Sequence, residues 1–483
     1  MKLQEILNKA INLHLSQNYK EAARIYKKII LLDPSNILAL NNFGSLLNTV
    51  GDYDGAQFLL KKALSMKPDY LDALNNLGIS LKLSKNYLEA IKIFEKIIKS
   101  KPNFIKAFIN LGNCLQSQQK FKDALIVYDK AIKLEPDSVE LLYNLGTCLN
   151  ELNLQNKAKD CYNKILTIDP NFVEAKWNLA FIQLMQGNYI DGWLNHETRK
   201  IREKTRKNYK NKFENKNWLG QKKLNNKTIY IIREQGLGDF IQFCRYFPML
   251  TNLGAKIILD IPDPLKKIIK TLKIDFTPMN EIKRIKYDYN CYLMSLPLAF
   301  KTKVHTIPNK TPYLFTPQDK KNYWKRKLGV KSKKRIGLMW SGNPENENDY
   351  NRSMKLENLI NLLETPFEFH SLQIDYNKFD LKLMSKFKNL INHKDAIKGF
   401  DNTAGLIEAM DLIISVDTSV AHLSGALNKP IWLMLPFTPD FRWLLDRDDS
   451  PWYPSMKLYR QEKKGDWDTV VNKLIKDLFN VNF

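Results

Sequence analysis

The first two-fifths of the sequence repeats with a period of 34 residues. Proline recurs at this interval at Pro34, Pro68, Pro102, Pro136 and Pro170. A column of small residues keeps the same interval at Gly44, Gly78, Gly112, Gly146 and Ala180. Alanine does so at Ala22, Ala56, Ala90, Ala124 and Ala158. This period predicts an array of helical hairpins, because one hairpin cannot bury its apolar face alone and stacks on its neighbours.

Large side chains form a fourth column at Tyr26, Leu60, Phe94, Tyr128 and Tyr162. Proline is expected to end the second helix of each hairpin. The small residues let two helices approach, and the large ones fill the gap between neighbouring hairpins. Together the columns resemble the tetratricopeptide repeat. They predict five full repeats and a degenerate sixth that begins near Val173, so that residues 1–198 form an all-α superhelix with a concave groove.

Asparagine occupies a further column on the first helix of each hairpin, at Asn8, Asn42, Asn76, Asn110, Asn144 and Asn178. An asparagine amide offers two donors and one carbonyl acceptor, which suits the backbone of an extended peptide. Alternatively, these side chains bridge adjacent helices. The row resembles the asparagine ladder of the O-GlcNAc transferases, which holds acceptor protein. That resemblance implies a peptide-binding role for Asn42, Asn76, Asn110, Asn144 and Asn178.

Composition narrows the class of partner. The net charge of +24 attracts nucleic acid, anionic membranes or phosphorylated ligands. The basic residues are spread along the chain without a basic-aromatic motif, so we expect no nucleic-acid partner. No apolar run approaches the ~18 residues that cross a bilayer, and the N-terminus lacks the apolar core of a secretory signal. These features predict a cytoplasmic protein without a transmembrane segment.

Two smaller features complete this half. The cysteines show no C-x-x-C pair and no His-rich spacing, so we expect buried, inert thiols rather than disulfides or a zinc site. Residues 199–227 hold twelve Lys or Arg and two Glu. This composition predicts a solvated helix and a basic linker.

The periodicity changes at Thr228. Short apolar runs rich in β-branched residues now alternate with helical stretches, which predicts parallel sheets of the doubly wound type. The runs are TIYIIRE, AKIILDI, YNCYLMSL, RIGLMWSG, EFHSLQ, LIISVD and PIWLML. A helical stretch around residues 317–333 separates two clusters of runs. We therefore expect two Rossmann-like lobes, residues 228–316 and 317–483, with a cleft between them.

Three loops follow predicted strand ends, where such sheets bind ligands. In the first, Gly236 and Gly238 permit a tight turn and close approach of a ligand to the backbone. Asp239 then begins a helix at the mouth of the cleft. Its carboxylate can accept a proton from an attacking hydroxyl, or it can serve as a helix cap, for which aspartate is a favoured residue.

The second and third loops suit a pyrophosphate. Asp417, Thr418 and Ser419 stand at a predicted helix start, where exposed amides and the helix dipole attract anions. His422 lies one turn further, either against a ligand or as a structural histidine. Ser341, Gly342 and Asn343 follow another strand, with Arg352 and Ser353 shortly beyond, and their groups suit a diphosphate. There is no G-x-x-x-x-G-K-[ST] motif, so the chain is not a P-loop ATPase.

These stretches resemble the heptosyltransferases, glycosyltransferase family 9, and in particular bacterial tetratricopeptide proteins that end in such a domain. The matching motifs are E-Q-G-L-G-D at 234–239, W-S-G-N-P at 340–344, R-S at 352–353, S-V-D-T-S-V-A-H at 415–422, R-W-L-L-D-R at 442–447 and S-P-W-Y-P-S-M at 450–456. The resemblance implies a GT-B fold and an inverting reaction that needs neither a metal nor a cofactor, with a nucleotide-diphosphate sugar as donor substrate. It implies Asp239 as the catalytic base. It implies a donor site formed by Gly236, Gly238, Ser341, Gly342, Asn343, Arg352, Asp417, Thr418, Ser419 and His422.

The sequence thus predicts a glycosyltransferase whose repeats present a protein or peptide acceptor. Two alternatives stay open. One is a tetratricopeptide scaffold whose sugar-nucleotide domain binds without turnover. The other is a transferase that acts on a glycan or lipid-linked acceptor, with the repeats docking an assembly partner.

Overall fold

A computed structural model describes residues 3–202, 216–279, 286–346 and 348–480. The chain divides into two compact units, Met1–Ala175 and Lys176–Phe483. Residues 203–215 of the predicted basic linker lie outside the described residues.

Over residues 3–196 the chain forms twelve helices in six consecutive pairs. Helices α1 to α12 are Leu3–Leu15, Tyr19–Leu32, Ile37–Val50, Tyr53–Met66, Leu71–Leu83, Tyr87–Ser100, Ile105–Ser117, Phe121–Leu134, Val139–Glu151, Gln155–Ile168, Val173–Met185 and Tyr189–His196. The second helix of each of the first five pairs ends two residues before the periodic proline, as predicted. The first five asparagines of the periodic column, and Asn178, all lie on the first helix of a pair.

The small and large columns contact each other. A Cβ atom added to Gly112 would lie 2.3 Å from Cε1 of Tyr128, and one added to Gly78 would lie 2.5 Å from Cζ of Phe94. The glycines therefore make room for the rings of the second helix in the same pair. This confirms that the small residues let two helices approach. The large side chains, which were predicted to fill the gap between neighbouring hairpins, here contact the other helix of their own hairpin.

The last helical pair lies across the division between the units. Apart from its first turn, it belongs to the second unit, although its sequence continues the repeat period. Just beyond it, the Arg199 side chain is buried and donates two hydrogen bonds to Glu234, of 2.8 and 3.0 Å. Arg199 also donates to Ser295 at 2.8 Å. It is therefore part of the core of the second unit, whereas the composition of the segment favoured a solvated position.

The region predicted as the first lobe, residues 228–316, holds a four-stranded parallel sheet in the order β3-β2-β1-β4. Its strands β1 to β4 are Thr228–Ile232, Lys256–Leu259, Phe276–Pro278 and Tyr289–Tyr292. Its helices α13 to α16 are Leu237–Phe243, Phe247–Asn252, Lys266–Ile269 and Leu296–Ala299. Glu234 follows β1 and Ser295 follows β4. Arg199 therefore lies at the carboxyl ends of these two strands, where the strand order of the sheet reverses.

The region predicted as the second lobe, residues 317–483, holds six parallel strands in the order β10-β9-β8-β5-β6-β7. Counted within the lobe, this is the Rossmann order 3-2-1-4-5-6. Strands β5 to β10 are Arg335–Met339, Glu368–Ser371, Leu390–Ile391, Leu412–Val416, Ile431–Leu435 and Met456–Arg460. Helices α17 to α23 are Gln318–Leu328, Asp349–Arg352, Ile360–Leu363, Lys378–Met384, Phe400–Glu408, Ser419–Ala426 and Trp467–Asn480. Short 3-10 segments connect these elements, among them Phe441–Trp443.

The predicted α/β region with parallel sheets is thus present. All seven apolar runs contain a strand, and α17 lies within the helical stretch predicted between the two clusters but ends at Leu328. All five cysteines are free and buried, as predicted. None of the helices in the described part of the chain combines the length and apolar character that crossing a membrane requires.

Candidate functional site

The second lobe has its switch point between β5 and β8, whose carboxyl ends lie side by side. From β5 the chain leads to β6 and β7 on one side, and β8 begins the other side. A crevice at such a point is where open α/β sheets bind ligands. The loop at 340–344 follows β5 and the loop at 417–419 follows β8, so two of the three predicted loops flank this crevice.

Gly342 and Arg352 occupy adjoining space at the end of β5. A Cβ atom on Gly342 would lie 2.6 Å from Nη2 of Arg352. The Gly342 amide donates to the Ser353 hydroxyl at 2.8 Å, and that hydroxyl donates to Asp349 at 2.8 Å. Arg352 reaches across the crevice and donates from Nη1 to the carbonyl oxygen of Asp417 at 3.0 Å. The guanidinium is therefore held between the two loops.

Gln373, which follows β6, fixes the Ser341 side chain. Its Nε2 donates to the Ser341 hydroxyl at 2.8 Å, and its Oε1 accepts from the Ser341 amide at 3.3 Å. The hydroxyl hydrogen of Ser341 remains able to donate to a ligand. Asn343, in contrast, is exposed, and its side chain accepts from the Glu345 amide within its own turn.

The amino terminus of α22 forms the other wall of the crevice. Thr418 is the N-cap residue, with extended backbone angles, and α22 begins at Ser419. The first amides of a helix have no acceptor within the helix and therefore face an anion readily. Beside them, the Asp417 carboxylate accepts from the Trp443 indole at 2.8 Å. Burial, with the neighbouring Asp440, raises the pKa of Asp417 to about 6.

His422 is buried in α22 and both ring nitrogens face protein groups. Nδ1 lies 2.9 Å from the Tyr453 hydroxyl, and Nε2 lies 3.8 Å from Asp417. The ring stacks on Trp443 with a centroid distance of 5.5 Å. Burial, and then the nearby arginines, hold the pKa of His422 well below its ordinary value. The imidazole is therefore neutral at physiological pH and orients its neighbours without contributing positive charge.

Gly238 and Asp239 connect the first lobe to this wall. A Cβ atom on Gly238 would lie 2.9 Å from Cδ2 of His422, so this glycine allows α13 to pack closely on α22. Asp239 accepts from the Gly236 amide at 2.8 Å with one oxygen and from Nη2 of Arg442 with the other. The helix begins at Leu237 with Gly236 as its N-cap residue, so Asp239 caps it from the third helical position and not as the N-cap residue that was one of its two interpretations. Whether it also acts as a base remains a prediction.

Arg442, Trp443 and Gln373 were not among the predicted site residues. Arg442 and Trp443 belong to a motif quoted above, but nothing in the sequence shows what they contact. The available signal was a single arginine between two aromatic residues in an apolar segment, FRWLL. An arginine in such a segment is buried only when it is paired.

Members of the asparagine column in the first unit differ in their contacts. Asn76 donates to Asn41 at 2.9 Å, and Asn110 donates to Asn75 at 3.1 Å, so both bridge neighbouring repeats. The residue 35 positions before Asn144 is Ile109, which offers no side-chain acceptor. The Asn144 side chain, which is half-buried, forms no hydrogen bond with the residues that the structure describes.

Within the described ranges, no three or more His, Cys, Asp or Glu side chains cluster closely enough to hold a metal ion.

Comparison with known proteins identifies the repeats. Models of the tetratricopeptide repeat match residues 47–108, 105–138 and 139–172. Tetratricopeptide repeats, which typically bind peptide partners, are therefore present in the first unit.

Protein FlbA of Caulobacter vibrioides is 24% identical over 288 residues, which cover 53% of this chain and 47% of FlbA. The chain thus spans about half the length of this curated relative. Among solved structures, YrrB, a tetratricopeptide protein with an unusual peptide-binding site, is 22% identical, with a TM-score of 0.29 over 35% of this chain and 88% of its own. The Thermus thermophilus protein TTC0263 is 16% identical, with a TM-score of 0.34 over 37% of this chain and 97% of its own.

Proposed function

We propose that this protein is an inverting glycosyltransferase of the GT-B type, which moves a sugar from a nucleotide-diphosphate donor to an acceptor hydroxyl. The observation that carries the proposal is the crevice at the switch point of the second lobe. There the start of α22, Gly342 and Arg352 meet, and the helix that bears Asp239 packs against the same wall. Amides at a helix start together with a held guanidinium suit a diphosphate.

The reaction assigns one role to each group. Asp239 takes the proton of the acceptor hydroxyl as its oxygen attacks the anomeric carbon from the face opposite the diphosphate. The bond between the anomeric carbon and the diphosphate oxygen breaks, and its electron pair leaves on the diphosphate. Amides at Thr418 and Ser419 and the Arg352 guanidinium stabilise that charge. His422 is assigned to orientation because its ring is neutral.

The acceptor in this proposal is a protein or peptide segment held by the repeats. Support comes from the half-buried Asn144 side chain, whose amide is available to a peptide backbone, and from the peptide binding that is typical of tetratricopeptide repeats. Asn76 and Asn110 are instead assigned to bridging between repeats.

Incubation of the full chain with radiolabelled UDP-, GDP- and ADP-sugars tests the proposal. We expect transfer or slow hydrolysis of at least one donor. Asp239→Asn should reduce the rate by roughly 10²–10⁴-fold, the usual contribution of a general base. Asp449→Asn, which alters a largely exposed carboxylate, is the matched control. A folded wild-type protein that turns over no donor contradicts the proposal, and full activity of Asp239→Asn contradicts the assignment of the base.

A binding protein without turnover is the second candidate. Both oxygens of the Asp239 carboxylate already accept hydrogen bonds, from Gly236 and Arg442, which is also the arrangement of a structural cap. Calorimetric binding of a donor without release of sugar distinguishes this function. Mass spectrometry of co-expressed proteins for an added sugar mass separates a protein acceptor from a glycan or lipid-linked one.

A further inference from the structure

Arg442 links the two lobes at the candidate base. It lies in the 3-10 segment Phe441–Trp443 of the second lobe and is only 6% exposed. Its Nε donates to the Gln242 side chain at 2.5 Å, and Nη2 donates to Asp239. Both acceptors lie on α13 of the first lobe. From its own lobe, Asp440 accepts from Nη1 at 2.7 Å.

The surroundings fix the guanidinium in place. The rings of Phe441 and Phe243 lie 4.4 and 5.8 Å from its central carbon. The next residue, Trp443, is tied to Asp417 beside the proposed diphosphate site. A planar guanidinium with three different acceptors on three of its N–H groups has one orientation. Arg442 therefore aims one N–H at the Asp239 carboxylate.

The ionised form of Asp239 depends on Arg442 because the other charged groups near it are carboxylates. Burial raises the pKa of Asp239, and Asp440 and Glu234 act in the same direction. Arg442 and the Gly236 amide lower it. His422, on the helix packed against α13, is neutral and contributes no compensating charge. Without Arg442, burial and the two nearby carboxylates are opposed only by the Gly236 amide, and the pKa of Asp239 rises further.

We propose that Arg442 is a positioning residue of the proposed reaction, which keeps Asp239 ionised and oriented from the opposite side of the cleft. This inference rests on the proposed function. The O–H bond of the acceptor breaks, the proton passes to Asp239, and Arg442 stays protonated throughout. Because donor and acceptor of this ion pair belong to different lobes, Asp239 is a competent base only while the lobes keep this arrangement.

The test measures the rate of donor turnover between pH 5 and 9 for the full chain and its variants. Arg442→Gln should reduce the rate at pH 7 at least tenfold, move the acidic limb of the profile to higher pH, and regain part of the rate above it. Arg442→Lys, which keeps the positive charge, should have a rate at pH 7 and an acidic limb between those of Arg442→Gln and the wild type. Arg326→Gln, an exposed arginine on α17, should leave the profile unchanged.

A double variant separates action through Asp239 from a structural effect. If Arg442 acts through the carboxylate, Arg442→Gln should add little to the loss already caused by Asp239→Asn. If Arg442→Gln fails to fold, Gln242→Leu carries the test without a change of charge. The Gln242 amide nitrogen has no partner among the described residues, so this substitution loses only the contact to Arg442. We expect a smaller shift of the acidic limb in the same direction.

The outcomes distinguish the two proposals. An active wild type whose acidic limb is unmoved in these variants, or losses that multiply in the double variant, overturns the role of Arg442 and leaves the proposed function intact. A folded wild type that neither binds nor turns over any donor overturns the proposed function, and the role of Arg442 with it.

Discussion

The contacts that stabilise the repeats differ in kind from the contacts that stabilise the α/β unit. In the repeats, Gly112 faces Tyr128 of the same hairpin, and Asn76 bonds Asn41 one repeat away, 35 positions earlier. Such contacts recur with the period, so no single one is indispensable. In the α/β unit, Arg442 bonds Asp239 over a separation of 203 residues, and Arg199 bonds Glu234 in a buried network. These contacts occur once, and each loss should therefore be felt locally and strongly.

Arg199→Met should have the largest effect. It leaves the buried Glu234 carboxylate without its cation, which typically costs about 3–5 kcal/mol. All nine tryptophans lie between positions 177 and 467, so tryptophan fluorescence in urea reports on the α/β unit. Arg24→Met, which removes an exposed ion pair with Glu21 in the repeats, is the control. It should leave the unfolding of the repeats, followed by far-UV circular dichroism in urea, unchanged. Equal effects of the two variants would erase the contrast between the regions.

Asp417→Asn should change how stability depends on pH. The folded-state pKa of Asp417 is about 6, whereas an unfolded aspartate titrates near about 3.9. The folded state therefore binds this proton more tightly, and the Asp417 contribution stabilises the wild type by up to about 3 kcal/mol as pH falls from 7 to 4. The variant lacks this term. The stability of the variant relative to the wild type should therefore be highest at pH 7 and should fall below pH 6. Urea denaturation of both proteins over this pH range measures the difference. A stability difference between the variant and the wild type that does not vary with pH contradicts the raised pKa of Asp417.

Gly112→Ala should destabilise the repeats without affecting the α/β unit. The new methyl group meets the Tyr128 ring, whose hydroxyl is held by Asn113 and Gln116. Overpacking of this kind costs about 1–3 kcal/mol. Far-UV circular dichroism in urea should show the loss while tryptophan fluorescence stays unchanged. Ser117→Ala, on the exposed side of the same helix, is the control. A simultaneous shift of both signals would show that the units unfold together.

The smallest effect separates two members of the asparagine column. Asn76→Ala removes the hydrogen bond to the buried Asn41 and should cost about 1 kcal/mol. Asn144→Ala removes no hydrogen bond within the described residues and should leave stability unchanged while reducing transfer to a peptide acceptor. The urea midpoint and the acceptor KM are the two readouts. If both variants lose the same stability and keep the same KM, the different roles assigned to Asn76 and Asn144 are wrong.

Much of the fold was predictable because its rules are local. Proline spacing, small residues and large residues predicted the hairpins, and β-branched runs predicted seven strands. Strands β3, β7 and β10 were missed. Two of them have only two or three residues, and the third, MKLYR, mixes charged and apolar residues. Such segments become strands only because a neighbouring strand offers hydrogen bonds.

The candidate site was predictable only in part for the same reason. Strand ends pointed to the loops at Gly342 and Ser419, because the topology of a parallel sheet brings such loops together. Arg442 could not be assigned, since its partner is 203 residues away. Arg199 was one of twelve basic residues in its segment, and nothing local distinguishes the one that is buried.

Calorimetric titration of the full chain with UDP, GDP and ADP tests the central claim most directly. The crevice at the end of β5 and β8 should bind at least one of them. Arg352→Gln should weaken that binding at least tenfold, about 1.4 kcal/mol, whereas the exposed Arg326→Gln should not change it. Absence of binding by the folded wild type, or equal affinity of Arg352→Gln, would contradict the claim that this crevice is a nucleoside-diphosphate site.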